Sequence, residues 1–217
     1  MSKKETESSR AKSNGAEEIA EAVAALRRGE IIVFPTETLY GLGTDALNRS
    51  AVEELFQLKG RNSNNPIPVL VADEQMLLML VAEISDSAKK LLNHFWPGPL
   101  TLVLKARPGI PPPLLNARGG IGVRISSRPT ATRLVQRLGR PITATSANPS
   151  GHEPARTVDE AKRYFAGRVR LFVDGGMLAS KKGSTVAEVS EDAVTILREG
   201  EIRASELESV LSKGKFI

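Results

Sequence analysis

Residues 31–43, IIVFPTETLYGLG, decide the architecture. Ile31–Pro35 is apolar at every position before its proline, without polar alternation. Such a run fits a strand covered on both faces, as in sheets flanked by helices. What lies on either side agrees. Upstream, AEEIAEAVAALRRG has helical apolar spacing from Ala16 to about Arg28, and Gly29 stops it. Downstream, TETLYGLGTDALN reads as a glycine-bearing loop, and SAVEELFQLK as a second helix. Ser50 and Glu53 have capping-box spacing there, Val52, Leu55 and Phe56 form the apolar stripe, and Gly60 ends the helix.

The alternation continues. IPVLVA (Ile67–Ala72) predicts a strand in which Pro68 favours an edge or a strand start. Helices are expected near Glu74–Val81 and Ser85–Phe95. Strands follow at Leu100–Ala106 and Ile121–Ser126, then a helix in PTATRLVQRLG with proline in its first turn. PITATSA predicts a strand entering a turn, and Thr157 with Glu160 caps another helix. Strands RLFVDG, STVAEVS and AVTILRE and a short helix, ASELESVLS, complete the chain. The expectation is one α/β domain over 15–217, a twisted mixed β-sheet flanked by helices. Residues 1–14, polar and without an apolar core, read as a disordered tail.

Composition removes several chemistries. There is no cysteine, hence no disulfide, thiolate nucleophile or cysteine-zinc site. Only His94 and His152 exist, which excludes a histidine-rich metal site. His94, in a helix end, reads as structural. Aromatics at 4% leave an aliphatic core and few rings to stack on nucleic-acid bases. No stretch approaches the roughly 20 apolar residues of a membrane span, so the expectation is a cytoplasmic protein. The net charge of +5 suits a phosphate-bearing partner and equally suits solubility.

Five stretches could carry chemistry. Lys59 and Arg61 flank the helix-stopping glycine, and Asn62–Asn65 adds amide donors without any carboxylate. The pair reads either as cations complementing a helix C-terminus or as a grip on phosphates. GLGTDA matches G-x-G-x-x-A, but its glycines do not open a helix, so the phosphate-binding terminus of a dinucleotide fold is missing. KKGST has Walker ingredients in the wrong order and is left as a hydroxyl-bearing turn. ATSANPSG reads as an anion-binding nest or an ordinary Ser/Asn turn. Arg124 lies mid-strand between apolar neighbours and must pair internally or grip a ligand anion.

Taken in order, FPTETLYGLG, LKGRNSNNP, FWPGPLTLVL, GVRIS with SRP, PITATSANPSG, GSTVAEV and ILREGEI resemble the YrdC-type threonylcarbamoyl-AMP synthase family in its short, single-domain form. The resemblance covers about Ile31 to Ile202. It implies an α/β fold with a basic concave face, and a reaction of L-threonine, bicarbonate and ATP giving threonylcarbamoyl-AMP and pyrophosphate, with Mg²⁺ accompanying ATP. It implies that partner proteins move the threonylcarbamoyl group onto transfer RNA. The rival readings are a basic RNA-binding module, with weak RNA or tRNA binding, and another nucleotide-dependent carbamoyl-transfer enzyme.

Carried over by motif, the resemblance makes Thr38, Arg124, Ala144 and Ser184 the threonine contacts. It makes Lys59, Arg61, Asn65, Ser146, Asn148, Pro154 and Arg198 the ATP contacts. Lys59 and Arg61 would also stabilise developing charge. It offers no general base: Glu37 in PTET is the nearest candidate and reads as a turn cap. The chain departs from the family pattern in three places. Leu70 stands where some relatives have histidine, Gly120 where many have threonine, and Ile125-Ser126 where many have Met-Pro.

Overall fold

The computed structural model describes residues 3–62, 65–191 and 193–212, with side chains from residue 15 onward. Its first helix, α1, runs Lys3–Arg27. The segment 1–14, expected to be a disordered tail, lies outside the described side chains. The anchoring apolar residues begin at Ile19 and continue through Ala22, Val23, Ala25 and Leu26, all buried. Gly29, at φ 80°, turns the chain into β1 (Ile32–Pro35), four residues buried without exception.

The glycine-bearing segment after β1 is partly a strand, not a loop. β2 (Tyr40–Gly43) pairs antiparallel with β1, Ile32 opposite Gly43 and Pro35 opposite Tyr40. The turn joining them is closed by the Thr36 hydroxyl, which donates to the Leu39 carbonyl at 2.7 Å and accepts the amides of Thr38 and Leu39. Gly43 has no room for a side chain. A Cβ would stand 2.6 Å from the Phe34 ring and 2.6 Å from the Thr143 carbonyl. Its glycine serves strand packing.

α2 (Arg49–Lys59) starts two residues earlier than the sequence pattern suggests. Asn48, not Ser50, is the N-cap, its side chain accepting from the Ala51 amide at 3.2 Å. Ser50 is already helical and donates to Asn48, while Glu53 pairs with Arg49 at 2.9 Å. Gly60 caps the C-terminus in the left-handed region, φ 59°.

β3 (Val69–Leu70) is short and starts just after Pro68. It is not an edge: it lies between β5 (Gly120–Arg124), parallel, and β6 (Ile142–Thr143), antiparallel. Between them in sequence come α3 (Glu74–Leu80), α4 (Asp86–Phe95) and β4 (Leu100–Lys105). α5 (Pro129–Leu138) precedes β6, and β7 (Thr145–Ser146) follows it. The capping box of α6 (Val158–Phe165) is present as its sequence predicts, Thr157 and Glu160 exchanging both bonds. β8 (Leu171–Phe172), β9 (Thr185–Ser190), β10 (Ala193–Arg198) and α7 (Ala204–Ser212) end the described chain.

The strands form two mixed sheets where one was expected. The smaller has the order β7-β2-β1-β8 and the larger β10-β9-β4-β5-β3-β6. The strand predicted in PITATSA is divided between them, with Ala144 at the crossing. α1 packs on α5 and both on β1, while α4 packs on α7. One contiguous aliphatic core runs through both sheets. Among the described residues no helix is long and apolar enough to cross a membrane.

Candidate functional site

A cleft of about 350 Å³ opens where the two sheets meet. The smaller sheet contributes Tyr40, Gly41, Thr145 and Ser146, and the larger contributes Arg124 and Arg198. Thr36 and Thr38 come from the β1–β2 turn, Arg61 from beyond α2, and Lys181, Lys182, Gly183 and Ser184 from the loop before β9. A second chamber of about 450 Å³ shares Arg61, Pro68 and Arg198 with it, and is lined further by Asn65, Thr101, Asn116, Gly120 and Leu197.

Cations dominate the shared wall. Burial lowers the pKa of Arg61, Arg124 and Arg198, and a neighbouring cation adds to each case except Arg124: Arg198 acts on Arg61, and Arg124 on Arg198. Lys59 completes the run. Burial and the charge of Arg61 push it down to about 7. Among the described residues only Arg124 in this run is ion-paired, its Nη1 donating to Glu37 Oε1 at 2.8 Å. Arg61 donates to the carbonyls of Asn65 and Pro66, and Arg198 to that of Ser184 at 2.8 Å. Neutral acceptors align these guanidinium groups without discharging them, which leaves a positive field directed into a confined space.

Most of the residues expected from sequence are brought together. Thr38, Arg61, Arg124, Ala144, Ser146, Pro154, Ser184 and Arg198 all line the cleft. Asn65 lines the adjoining chamber. Lys59 and Asn148 are placed behind the wall. The Lys59 ammonium donates to the Ser146 carbonyl at 2.6 Å, the Asn148 carbonyl at 2.7 Å and Asn148 Oδ1 at 3.2 Å. The Asn148 amide donates to the carbonyls of Pro149 and His152. Together they brace the 146–152 turn from inside. Both histidines lie away from the cleft lining: His94 stacks edge-on against Phe95, and His152 against Tyr164.

Sequence reading passed over Thr36, Tyr40, Thr145 and Glu199, which also line the cleft, while Lys181 and Lys182 line it from the KKGST turn that it had singled out. Tyr40 was hidden by its place in an apparent loop. Its hydroxyl donates to the Gly176 carbonyl at 2.8 Å and accepts the Gly175 amide at 2.8 Å, tying the loop after β8 to β2. Burial, with Asp174 nearby, raises its pKa to about 12, so it stays a neutral donor. Glu199 is turned to the start of α7, where it accepts the Ala204 amide. Leu70 is a buried core residue opposite Arg124 in register. Gly120 borders the chamber, where a Cβ would stand 2.8 Å from Val103 and 3.1 Å from Asn116.

The fold and cleft define a two-sheet α/β protein with an arginine-lined cavity at the junction of its sheets. The chain belongs to the Sua5/YciO/YrdC family, whose sequence model, described as "Telomere recombination", matches residues 24–200. It is 38% identical over 195 residues to the threonylcarbamoyl-AMP synthase of Bacillus subtilis, covering 89% of this chain and 56% of that protein. It is 34% identical over 193 residues to a putative threonylcarbamoyl-AMP synthase of Mycobacterium tuberculosis, covering 89% and 88%. The structure of Pyrococcus abyssi Sua5 complexed with L-threonine superposes with a TM-score of 0.85 at 36% identity, covering 88% of this chain and 56% of that one. Escherichia coli YciO superposes at 0.79 with 29% identity, covering 87% and 92%. The chain thus spans little more than half the length of the Bacillus and Pyrococcus relatives.

Proposed function

We propose that this protein is an L-threonylcarbamoyladenylate synthase, a nucleotidyltransferase that joins L-threonine, bicarbonate and ATP. The observation that carries the reading is the run Lys59, Arg61, Arg198 and Arg124 at the junction of the two sheets, with Glu37 as the one carboxylate paired into it. Gathering buried like charges is unfavourable unless a polyanion is to be met there. The relatives named as threonylcarbamoyl-AMP synthases, and the Pyrococcus structure with L-threonine, support reading that polyanion as ATP beside an amino acid.

In this reading Arg124 takes the threonine carboxylate as a fork, with Thr38, Ser184 and the Ala144 backbone around the side chain. The threonine amine and bicarbonate give a carbamate and water. A carbamate oxygen then forms a bond to the α-phosphorus of ATP as the bond to pyrophosphate breaks. Nucleophile and electrophile are both anionic, so the barrier falls chiefly by charge neutralisation and positioning. Arg61 and Arg198, on the wall common to cleft and chamber, face the phosphates, with Ser146 and Pro154 beside them and Asn65 further out. Lys59 and Asn148 act from behind, holding the turn that presents Ser146.

Mg²⁺ would arrive on ATP and supply further neutralisation of the phosphates. Among the described residues no group of three or more His, Asp or Glu gathers as a metal cage. In this reading the protein acts in the cytoplasm, and downstream proteins transfer the labile product to transfer RNA. Direct RNA binding would be weak and carried by lysine and arginine.

Purified protein supplied with ATP and Mg²⁺ is expected to release pyrophosphate only when both L-threonine and bicarbonate are present. Equal release without threonine would sink the assignment. Tight RNA binding with no pyrophosphate at all would favour an RNA-binding module.

A further inference from the structure

Glu37 and Ser126 have no part in either substrate site as described, and neither lines the cleft. Yet both are nearly enclosed, and both bear on Arg124. Glu37 Oε1 accepts from Arg124 Nη1, and its Oε2 accepts from the Ser126 hydroxyl. Ser126 is fixed in turn. Its Oγ accepts the Arg128 amide at 3.2 Å, and its carbonyl accepts the Thr132 hydroxyl at 2.9 Å, so it is bound to the first turn of α5. Glu37 sits in the turn closed by the Thr36 hydroxyl. Both ends of the carboxylate are therefore tied to rigid structure.

A buried guanidinium with no partner would be strongly destabilising, so Arg124 needs a counter-ion whenever the cleft is empty. Glu37 meets that need through one of five N–H donors. It also decides the plane of the fork, because a carboxylate held on Nη1 resists rotation of the guanidinium. We propose that Glu37, itself held by the Ser126 hydroxyl, is a positioning residue that sets the plane of Arg124 so that its remaining donors meet an amino-acid carboxylate. The inference deepens the threonine site and rests on that reading.

Three variants test it: Glu37→Gln, Ser126→Ala and Ser126→Thr. Glu37→Gln keeps the shape and removes the charge, and its KM for threonine is expected to rise by about tenfold or more. Ser126→Ala removes one bond to the carboxylate, and a rise of about three- to tenfold is expected. Ser126→Thr restores the hydroxyl and is expected to return most of the loss. Throughout, kcat and affinity for a non-hydrolysable ATP analogue should stay within about twofold, a change of less than half a kcal/mol. NMR of the Arg124 guanidinium gives a second readout independent of turnover: separate, slowly exchanging Nη signals in the wild type, merged by fast rotation in Glu37→Gln. Unchanged threonine KM with unchanged Arg124 signals overturns the proposal. Parallel losses of threonine affinity, ATP affinity and thermal midpoint also overturn it, in favour of a purely structural role. If the wild type shows no threonine-dependent pyrophosphate release, the threonine reading fails, and the NMR comparison still decides whether Glu37 orders Arg124.

Discussion

Arg198 lies close enough to Arg61 to depress its pKa, and the two side chains line both the cleft and the chamber beside it. Two buried cations that repel each other are a cost to the empty protein and a gain to the phosphate complex. Arg61→Ala should therefore weaken binding of a non-hydrolysable ATP analogue by about 2–5 kcal/mol, the range for losing a buried charged contact. Its thermal midpoint should move little, since relief of repulsion offsets the lost hydrogen bonds to Asn65 and Pro66. Calorimetric titration with a melting scan tests both halves. Unchanged affinity would return Lys59-Gly60-Arg61 to the role of a helix stop.

If the proposed function holds, Arg124 separates the two substrates. Lysine keeps the charge but has no planar fork, so it cannot reproduce the geometry of a bidentate pair with a carboxylate. Arg124→Lys should raise the threonine KM by about tenfold or more, equivalent to ~1.4 kcal/mol. ATP affinity measured without threonine should barely change. Equal losses for both would assign Arg124 to the phosphates or to the fold.

The elements legible in sequence were those whose signal is local. The buried run of β1, the stops at Gly29 and Gly60 and the cap at Thr157 depend on neighbours within one turn of chain. β2 was not legible because its pairing is made with β1 across a turn, and glycine carries no strand pattern. The division into two sheets was hidden because one continuous stretch, PITATSA, feeds both. Arg61, Arg124 and Arg198 were nameable from motif order, yet their gathering at one wall depends on strands far apart in sequence. Lys59 was nameable too, and what sequence could not give was its direction: it points at carbonyls behind the cleft wall.

The glycines of GLG offer a check that uses no substrate. A Cβ at Gly43 would collide with Phe34, Thr143 and Ile142, whereas one at Gly41 would make contacts of 3.4–3.6 Å. Gly43→Ala is expected to destabilise the fold by about 1–3 kcal/mol, as overpacking does. Gly41→Ala should cost less. Denaturant midpoints of the two variants measure the difference. If Gly43→Ala is as stable as wild type, the close packing of β2 against β1 and β6 is wrong.

Binding that rests on cations meeting phosphates should weaken with salt. Any RNA association is expected to be weak and to fall steeply as salt rises from about 50 to 200 mM, because each neutralised phosphate releases a counterion. Filter binding of a transfer RNA across that range measures the slope. Tight binding that survives high salt would point to base stacking, and the scarcity of aromatic residues makes that unexpected.

Lys59 gives the molecule a pH dependence whose sign can be worked out. Burial and the charge of Arg61 hold its folded pKa near 7, well below the ordinary lysine value of about 10.5. Between those limits the lowered folded pKa means that the native chain binds fewer protons than the unfolded chain. Stability then rises with pH, because the unfolded state binds more protons. The penalty of burying the charge is complete below pH 7 and is progressively relieved above it. Three carbonyl-type acceptors at 2.6–3.2 Å oppose this, since they favour an ammonium with three N–H donors over a neutral amine with two. Lys59→Met removes the titration and supplies the reference. Urea unfolding of both proteins at pH 7 and pH 9.5 should show the wild type gaining stability relative to the variant. Parallel behaviour would mean that the acceptors outweigh burial and that Lys59 remains a cation behind the 146–152 turn throughout. It would then reinforce the field at Arg61 across that whole range of pH.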